Sequence, residues 1–330
     1  MRYEWDIDPE LRPGLAIFEE LGFADRELRG DAIPELRARL RELMLSKTAD
    51  VPPNDRVVRE DRHVPGPDGA PDVPVRVYRP VDASPPLPCL YWIHGGGMIA
   101  GDLDMSDLSC DVYAERLGCV VVSVDYRLAP EHPHPAPVED CYAALRWTAG
   151  ATDELGIDAG RIAVAGASAG GGLAAATALL ARDRGGPPLA FQLLVYPMLD
   201  DRDATPSARE FSGIPSWSRE HNRDGWAALL GERVGGDDVP AYAAPARAED
   251  LSNLPPALIQ VGDLEVFRDE DIDYATRLLR AGVPTELHVY PGAYHGWDTF
   301  APTAEASVRA LEERIAALRR ALHPSAVVAA

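Results

Sequence analysis

The sequence predicts an α/β fold in which a mostly parallel sheet is covered by helices on both faces. Six apolar runs alternate with helical segments: PCLYWI, CVVVSV, RIAVAG, AFQLLV, ALIQVG and TELHVY. An apolar run without polar alternation is what a strand buried on both faces requires. Repetition of strand, helix and strand then gives parallel neighbours joined by right-handed crossovers. A chain of 330 residues is long enough to bury a large core.

The elements outside the apolar runs are also indicated by local patterns. Residues 1–50 are expected to form amphipathic helices, since Leu36, Leu40, Leu43 and Met44 recur at helical spacing. The segment VPGPDGAPDVPVRVYRP predicts a hairpin with glycine and proline at its turn. Further helices are expected over residues 138–148, 173–182, 269–281 and 303–322.

One interval interrupts the repetition of strand and helix. Residues 199–238 are polar and contain proline and glycine, with Phe211, Ile214, Trp217 and Trp226 interspersed. A segment of this length inside a compact domain is usually a functional insertion. The alternative is an additional surface helix without a role.

The charge balance narrows the range of partners. The net charge of −21 repels phosphate backbones and anionic membrane surfaces, so neither nucleic acid nor a membrane is expected as a partner. Residues 162–181 carry no charge, but their alanine and glycine content favours a buried strand, a turn and a buried helix over a membrane span. The acidic N-terminus lacks the apolar core of a secretory signal, and a cytoplasmic location is therefore expected.

Two further residue types limit the chemistry. The four cysteines form no C-x-x-C pair and are expected to be buried free thiols: Cys89, Cys110, Cys119 and Cys141. The single lysine, Lys47, lies in a charged helical segment, which argues against a Schiff-base mechanism.

The sequence Gly166-Ala167-Ser168-Ala169-Gly170 is the strongest indication of catalysis. It directly follows a predicted strand and opens an alanine-rich helix. A serine at such a turn is exposed at the carboxyl edge of the sheet, and the flanking glycines leave room for the turn. We therefore expect Ser168 to be a nucleophile, whereas a structural turn is the alternative.

A serine hydroxyl needs a base, and the base in turn needs an acid. Of the four histidines after Ser168, only His295 lies on a loop that follows a predicted strand; the others are His221, His288 and His323. The acid is expected after the strand ALIQVG, where Asp263 and Glu265 are both well placed.

The sequence His94-Gly95-Gly96-Gly97 follows the strand PCLYWI. Consecutive glycines let backbone N–H groups converge, and together with the N–H of Ala169 they can hold an oxyanion. His94 is expected to orient this loop rather than to act as a second base.

Two motifs have alternative interpretations as a nucleotide site and as a metal site. The pattern from Gly95 to Ala100 also fits a relaxed dinucleotide-binding fingerprint, but no helix is expected to begin at Ala100, and nearby acidic residues would repel a pyrophosphate. His132 and His134 could suggest a metal, but no convergent set of ligands accompanies them. Neither a nucleotide cofactor nor a metal is therefore expected.

In their order along the chain, these motifs resemble those of the hormone-sensitive-lipase-like (bacterial family IV) esterases of the α/β-hydrolase fold. The resemblance covers about residues 75–297 and rests on the segments HGGG, DYRLAPE, PAPVEDCYAALRW, GASAGG, LEVFRDE and HG. It implies hydrolysis of short-acyl carboxylic esters without a cofactor. It also implies that Ser168 is the nucleophile and His295 the base, with Gly96, Gly97 and Ala169 as oxyanion donors.

The resemblance further implies an acid and a domain division. The family acid is usually an aspartate four residues before the aspartate of an Arg-Asp-Glu run, a position that Glu265 occupies here, which favours Glu265 over Asp263. Where the family has Asp or Thr before the serine, this chain has Ala167. Residues 51–198 and 239–330 would form the catalytic domain, and residues 1–50 and 199–238 the cap.

The sequence therefore predicts a serine carboxylesterase with a Ser-His-Glu triad, acting on a small-molecule ester. An amide or carbamate hydrolase on the same triad is the nearer alternative. A small-ligand-binding module of this fold is the more distant alternative, since such modules typically lose the base that this chain retains as His295. A homodimer is compatible with the resemblance.

Overall fold

The computed structural model describes residues 6–20, 22–23, 27–48 and 51–324. Eight strands form one sheet in the order β1-β2-β4-β3-β5-β6-β7-β8. The strands are β1 (Val57–Val64), β2 (Val73–Pro80), β3 (Leu87–Ile93), β4 (Val120–Val124), β5 (Ile157–Ala167), β6 (Phe191–Val195), β7 (Ala257–Leu264) and β8 (Thr285–Tyr294). The strands β1 and β2 form the predicted hairpin, and β2 pairs antiparallel with β4. All pairings among β3 to β8 are parallel, as predicted from the six apolar runs.

Helices flank this sheet. They are α1 (Arg12–Glu20), α2 (Ala32–Thr48), α3 (Asp107–Leu117), α4 (Ala136–Gly150), α5 (Thr152–Leu155), α6 (Ala169–Asp183), α7 (Pro206–Glu210), α8 (Arg219–Leu230), α9 (Arg268–Arg280), α10 (Trp297–Phe300) and α11 (Glu305–Leu322). Helices α4 and α6 pack together, and α3 and α11 form a second packed pair. After the glycine loop, a short 3₁₀ turn over Asp104–Ser106 precedes α3, so no helix begins at Ala100.

The largest difference from the predicted helix bounds is at the start of α6. The helix begins at Ala169 rather than at residue 173, although glycines are poor helix formers. Tertiary packing explains the difference: a Cβ at Gly170 would lie 2.1 Å from the Ile93 carbonyl oxygen, and one at Gly172 would lie 2.1 Å from that of Met198. The glycines therefore let the first turn of α6 approach two neighbouring chain segments.

The uncharged stretch and the cysteines lie where the sequence analysis expected them. Residues 162–181 form the end of β5 and most of α6, both buried. No helix within the described ranges is both long and apolar enough to cross a membrane. All four cysteines are buried free thiols.

The last strand is longer than the sequence pattern indicated. The pattern ended it at Tyr290, but β8 continues to Tyr294, which pairs with Leu264 beyond a shift in register. The extension places His295 directly at the end of the strand, beside the loop that follows β7.

Candidate active site

Ser168 occupies a sharp turn between β5 and α6. Its φ and ψ are +58° and −123°, a backbone conformation that residues other than glycine rarely adopt. A Cβ at Gly166 would lie 2.2 Å from the carbonyl oxygen of Gly170, so the turn requires glycine there. The strained turn directs the serine side chain into the cavity at the carboxyl edge of the sheet.

His295 is in hydrogen-bond contact with Ser168 and with Glu265. Its Nε2 lies 2.9 Å from the Ser168 Oγ, and its Nδ1 lies 2.6 Å from Oε2 of Glu265. With the proton on Nδ1, the imidazole donates to the carboxylate and leaves Nε2 free to accept the serine proton. The three side chains come from separate loops at one edge of the sheet.

Two carboxylates lie at the end of β7, Asp263 within the strand and Glu265 directly after it, and they have different hydrogen-bond partners. Glu265 is fully buried, and its second oxygen accepts the Gly262 N–H at 2.7 Å. Asp263 instead accepts the Gly292 N–H at 2.7 Å, and burial raises the pKa of its carboxyl. Within the described ranges no hydrogen bond joins Asp263 to His295.

The other histidines downstream of Ser168 make contacts elsewhere. In each, a ring nitrogen faces an oxygen away from the serine: His288 faces Glu313 at 2.8 Å, His221 the Phe23 carbonyl at 3.0 Å, and His323 the Leu117 carbonyl at 2.7 Å.

The loop from Gly95 to Gly97 lies next to Ser168. Gly96 and Gly97 have φ of +117° and +63°. A Cβ would lie 2.9 Å from the Ala167 carbonyl oxygen at Gly95, and 2.1 Å from the Ala100 carbonyl oxygen at Gly96. Among the residues that the structure describes, no acceptor takes the backbone N–H of Gly96, Gly97 or Ala169. These amides are therefore available to a ligand beside the serine.

His94 is buried and oriented by its neighbours. Its Nδ1 lies 2.8 Å from the Gly95 carbonyl oxygen, and its ring stacks on Tyr126 at 4.3 Å. The Tyr126 hydroxyl donates to the His94 carbonyl at 3.0 Å. These contacts fit the expected role of orienting the glycine loop.

The cavity above Ser168 has a volume of about 180 Å³. Its walls include Phe18, Leu36 and Leu40 from the N-terminal helices and Trp217 from the insertion. Trp217 lies so close to the glycine loop that a Cβ at Gly97 would come within 2.3 Å of its ring. Both segments that the sequence analysis assigned to a cap therefore line the cavity.

The two segments also contact each other. The rings of Phe23 and His221 lie 4.2 Å apart, and the His221 Nε2 is 3.0 Å from the Phe23 carbonyl oxygen. Asp224 of α8 accepts the Leu28 N–H at 2.7 Å and forms an ion pair with Arg29. These contacts join the N-terminal segment to the insertion.

Sequence reasoning missed the role of Arg37 on α2. Its guanidinium donates to the carbonyls of Ile99, at 2.7 Å, and Ala129, at 2.9 Å. It also forms two hydrogen bonds of 2.8 Å with Glu131. Arg37 therefore connects α2 to the segment after the glycine loop and to the segment after β4. No local signal distinguishes it from the other arginines of that helix.

Within the described ranges, no group of three or more His, Cys, Asp or Glu side chains is arranged to hold a metal ion. The backbone N–H of His134 donates to the Leu229 carbonyl at 3.0 Å. Burial lowers the pKa of the His134 imidazole to about 4.

A serine at a tight strand-to-helix turn, in contact with a histidine that is itself paired with a buried glutamate at the edge of a mainly parallel sheet, defines the class of α/β hydrolases. The chain belongs to the alpha/beta hydrolase fold family, whose sequence model matches residues 90–299. The resemblance to the hormone-sensitive-lipase-like esterases is thereby confirmed.

Named relatives span nearly the whole chain. Carboxylesterase NlhH of Mycobacterium tuberculosis is 43% identical over 324 residues, which cover 96% of this chain and 97% of the relative. Esterase LipI of the same organism is 42% identical and covers 96% of each chain. The solved structure of a bacterial heroin esterase has a TM-score of 0.90 and 44% identity, covering 96% of this chain and 98% of its own.

Proposed function

We propose that the protein is a serine carboxylesterase that hydrolyses short-acyl esters through an acyl-enzyme. The observation that carries this proposal is the continuous contact from Ser168 through His295 to Glu265, at 2.9 and 2.6 Å. Relatives named carboxylesterase and esterase, similar over almost the full chain, support the same reaction class.

The geometry supports the following acylation step. The Ser168 Oγ attacks the ester carbonyl carbon while Nε2 of His295 takes the hydroxyl proton. The carbonyl oxygen becomes an oxyanion that accepts hydrogen bonds from the amides of Gly96, Gly97 and Ala169. Each such donor contributes roughly 3 kcal/mol to lowering the barrier. The C–O bond to the alcohol then breaks, and the imidazolium returns its proton to the departing alkoxide.

Deacylation uses the same groups in the reverse direction. Water attacks the acyl carbon, and Nε2 of His295 takes one proton from it. The tetrahedral intermediate again places its oxyanion at the backbone amides. Its collapse releases the carboxylic acid, and the imidazolium reprotonates the Ser168 oxygen. Glu265 stabilises the imidazolium in both halves of the reaction.

The size of the cavity supports a preference for short acyl groups. A volume of about 180 Å³ lies below the range of roughly 300–1,000 Å³ typical of pockets for drug-sized ligands. Aromatic side chains bound it, among them Phe18, Trp217 and Phe300. Rates are therefore expected to decline as the acyl chain lengthens from butyrate to palmitate.

We also propose that residues 1–50 and 199–238 form a cap over the catalytic domain, which comprises residues 51–198 and 239–330. The contacts of Phe23 with His221 and of Leu28 with Asp224 support this division, as does the shared lining of the cavity. The cap excludes water from the reacting groups and limits the length of the acyl chain.

A panel of acyl esters, with matched amides and carbamates, tests the proposed function on wild type and on Ser168→Ala. Ester hydrolysis is expected to exceed amide and carbamate hydrolysis, and Ser168→Ala should lose at least roughly 10³-fold in rate. A faster rate on amides would assign the triad to amide hydrolysis. Saturable binding of a small ester without turnover would favour a binding module.

A homodimer and a cytoplasmic location are further proposals, which follow from the resemblance and from the sequence respectively. Light scattering coupled to size exclusion tests for a homodimer. Fractionation of the host cell tests the expected cytoplasmic location.

A further inference from the structure

A closed circuit of buried hydrogen bonds lies behind the ring of His295. The backbone N–H of Tyr196 donates to the Gln260 carbonyl at 2.6 Å, and the Gln260 side-chain oxygen accepts from Nε of Arg314 at 2.5 Å. Arg314 pairs with Asp298 at 2.6 Å, and Asp298 accepts the Tyr196 hydroxyl at 2.8 Å. The circuit therefore begins and ends at Tyr196.

Tyr196 is the member of this circuit that touches the proposed catalytic base. Its ring lies edge-on to the His295 imidazole, with centroids 4.7 Å apart. The residue directly follows β6, whose last carbonyl, that of Val195, accepts the Ser168 N–H at 2.9 Å. Tyr196 therefore lies beside both the nucleophile and the base.

The backbone of Tyr196 is strained, with a φ of +36°. Such a conformation in a bulky residue persists only where its surroundings over-determine it, and strain of this kind clusters at functional sites. The circuit supplies that constraint, because it fixes the residue at its backbone amide and again at its hydroxyl.

The circuit uses a buried ion pair where apolar packing would serve stability as well. The Arg314 side chain is 7% exposed and that of Asp298 12% exposed. Replacing a buried ion pair with well-packed apolar groups is often neutral or stabilising, so such a pair is weak evidence for a stabilising role. What the pair does provide is a directional contact that holds the tyrosine hydroxyl in one place.

Among the described residues, three aromatic rings constrain the tilt of the His295 ring. Glu265 fixes the position of Nδ1 within the ring plane. The three rings belong to Tyr196, which is the nearest at 4.7 Å, to Phe267 at 5.1 Å and to Trp217 at 6.4 Å between ring centroids. Displacement of Tyr196 would let the imidazole turn away from the serine oxygen.

We propose that Asp298 and Arg314 are positioning residues that act through Tyr196 to hold the His295 imidazole in line with Ser168. This inference rests on the proposed serine esterase function and extends it to residues other than the triad and the oxyanion donors. Small displacements of a reacting group lower catalytic rates by about 10²-fold per ångström. The effect should therefore appear in kcat rather than in KM.

Tyr196→Phe tests the proposal most cleanly, because it keeps the ring and removes only the hydroxyl contact with Asp298. With a butyrate ester, kcat per folded enzyme should fall about tenfold while KM stays within about twofold. Asp298→Asn keeps the side-chain volume and should lower kcat at least as much. The double variant should lose no more than Asp298→Asn alone, since both changes break one contact.

Tyr91→Phe is the matched control. The Tyr91 hydroxyl is buried and donates to the Cys141 carbonyl at 2.8 Å, and neither residue belongs to the circuit. Its removal should lower Tm as Tyr196→Phe does, without a change in kcat. If Tyr196→Phe and Tyr91→Phe both lower Tm and both keep the wild-type kcat, the circuit is structural and the proposal is wrong.

Variants of Arg314 and of Ser168 complete the test. Arg314→Lys retains the charge and should keep more of kcat than Arg314→Met; equal rates in these two variants would contradict the proposal, and the comparison stands if Asp298→Asn fails to fold. Retained ester hydrolysis in Ser168→Ala would overturn the proposed function itself. An inactive Ser168→Ala together with a wild-type kcat in Tyr196→Phe would overturn only the positioning role.

Discussion

The carboxylate of Glu265 faces Nδ1 of His295 at 2.6 Å while its other oxygen accepts a backbone N–H at 2.7 Å. The buried carboxylate therefore has a fixed orientation and presents one oxygen to the imidazole. Asp263, two residues earlier, instead accepts a hydrogen bond from the Gly292 backbone N–H. This division of contacts allows the two carboxylates to be tested separately.

Glu265→Gln should lower kcat/KM by roughly 10⁴-fold, because a neutral amide neither stabilises the imidazolium nor favours the required tautomer. Asp263→Asn keeps an acceptor for the Gly292 amide and should cost less than about tenfold. Steady-state kinetics on a butyrate ester measures both. A larger loss in Asp263→Asn would assign the acid to Asp263.

Trp217→Leu should widen the range of acyl chains. The indole lies against the glycine loop, so its removal opens space beside the reacting carbonyl. The ratio of kcat/KM for octanoate to that for butyrate should rise at least about tenfold, since accommodating even one more methylene contributes roughly 1–3 kcal/mol. Trp226→Leu is the matched control in the same insertion, where the side chain is buried outside the cavity. An equal change in both variants would refute a selective role for Trp217.

Asp224→Ala should loosen the proposed cap. The change removes the acceptor for the Leu28 N–H and the partner of Arg29, which costs about 1–3 kcal/mol for the unpaired amide. KM should rise several-fold, and trypsin should cleave the N-terminal segment faster. Asp203→Asn is the control, because the partners of Asp203 in the described part of the chain, Arg219 and Arg223, both lie within the insertion. Unchanged KM and unchanged cleavage in Asp224→Ala would count against a cap joined by these contacts.

Asp271→Asn should stabilise the protein increasingly as pH rises. Burial, with Glu270 and Glu265 nearby, raises the pKa of the Asp271 carboxyl well above its usual range. The unfolded chain therefore loses this proton first, and wild-type stability falls with pH between the unfolded and folded pKa values. Relative to the variant, the loss is about 1.4 kcal/mol per pH unit.

Urea denaturation of wild type and Asp271→Asn from pH 5 to 8 measures this difference. Asp273→Asn, which changes an exposed carboxyl on the same helix, is the control. Parallel curves of the free energy of unfolding for wild type and Asp271→Asn would show that the Asp271 carboxyl carries its charge in the folded protein.

The fold and the positions of Ser168 and His295 were predictable because their signals are local or follow from chain order. The glycine-serine turn, the glycine loop and the apolar runs are each encoded within a few neighbouring residues. Chain order then placed a histidine and a carboxylate after the last two strands. The residues alone left Asp263 and Glu265 open, because both follow the same strand. Only the spacing of a family motif favoured Glu265.

The contacts behind His295 were not predictable from local patterns. Arg314 lies in an amphipathic helix where it resembles Arg319 and Arg320, yet it is buried whereas those two are exposed. Its burial depends on Asp298 and Gln260, which come from other elements. Likewise, Tyr196 adopts a positive φ that no neighbouring glycine signals. Such features arise when distant elements pack, and sequence periodicity does not encode them.

Active-site labelling tests the central claim most directly. A fluorophosphonate should react with wild type in a one-to-one ratio, and peptide mapping should place the adduct on Ser168. Ser168→Ala should neither be labelled nor hydrolyse butyrate esters, and His295→Ala should be labelled at least about 10²-fold more slowly. An adduct on another residue, or ester turnover that survives in Ser168→Ala, would contradict the account.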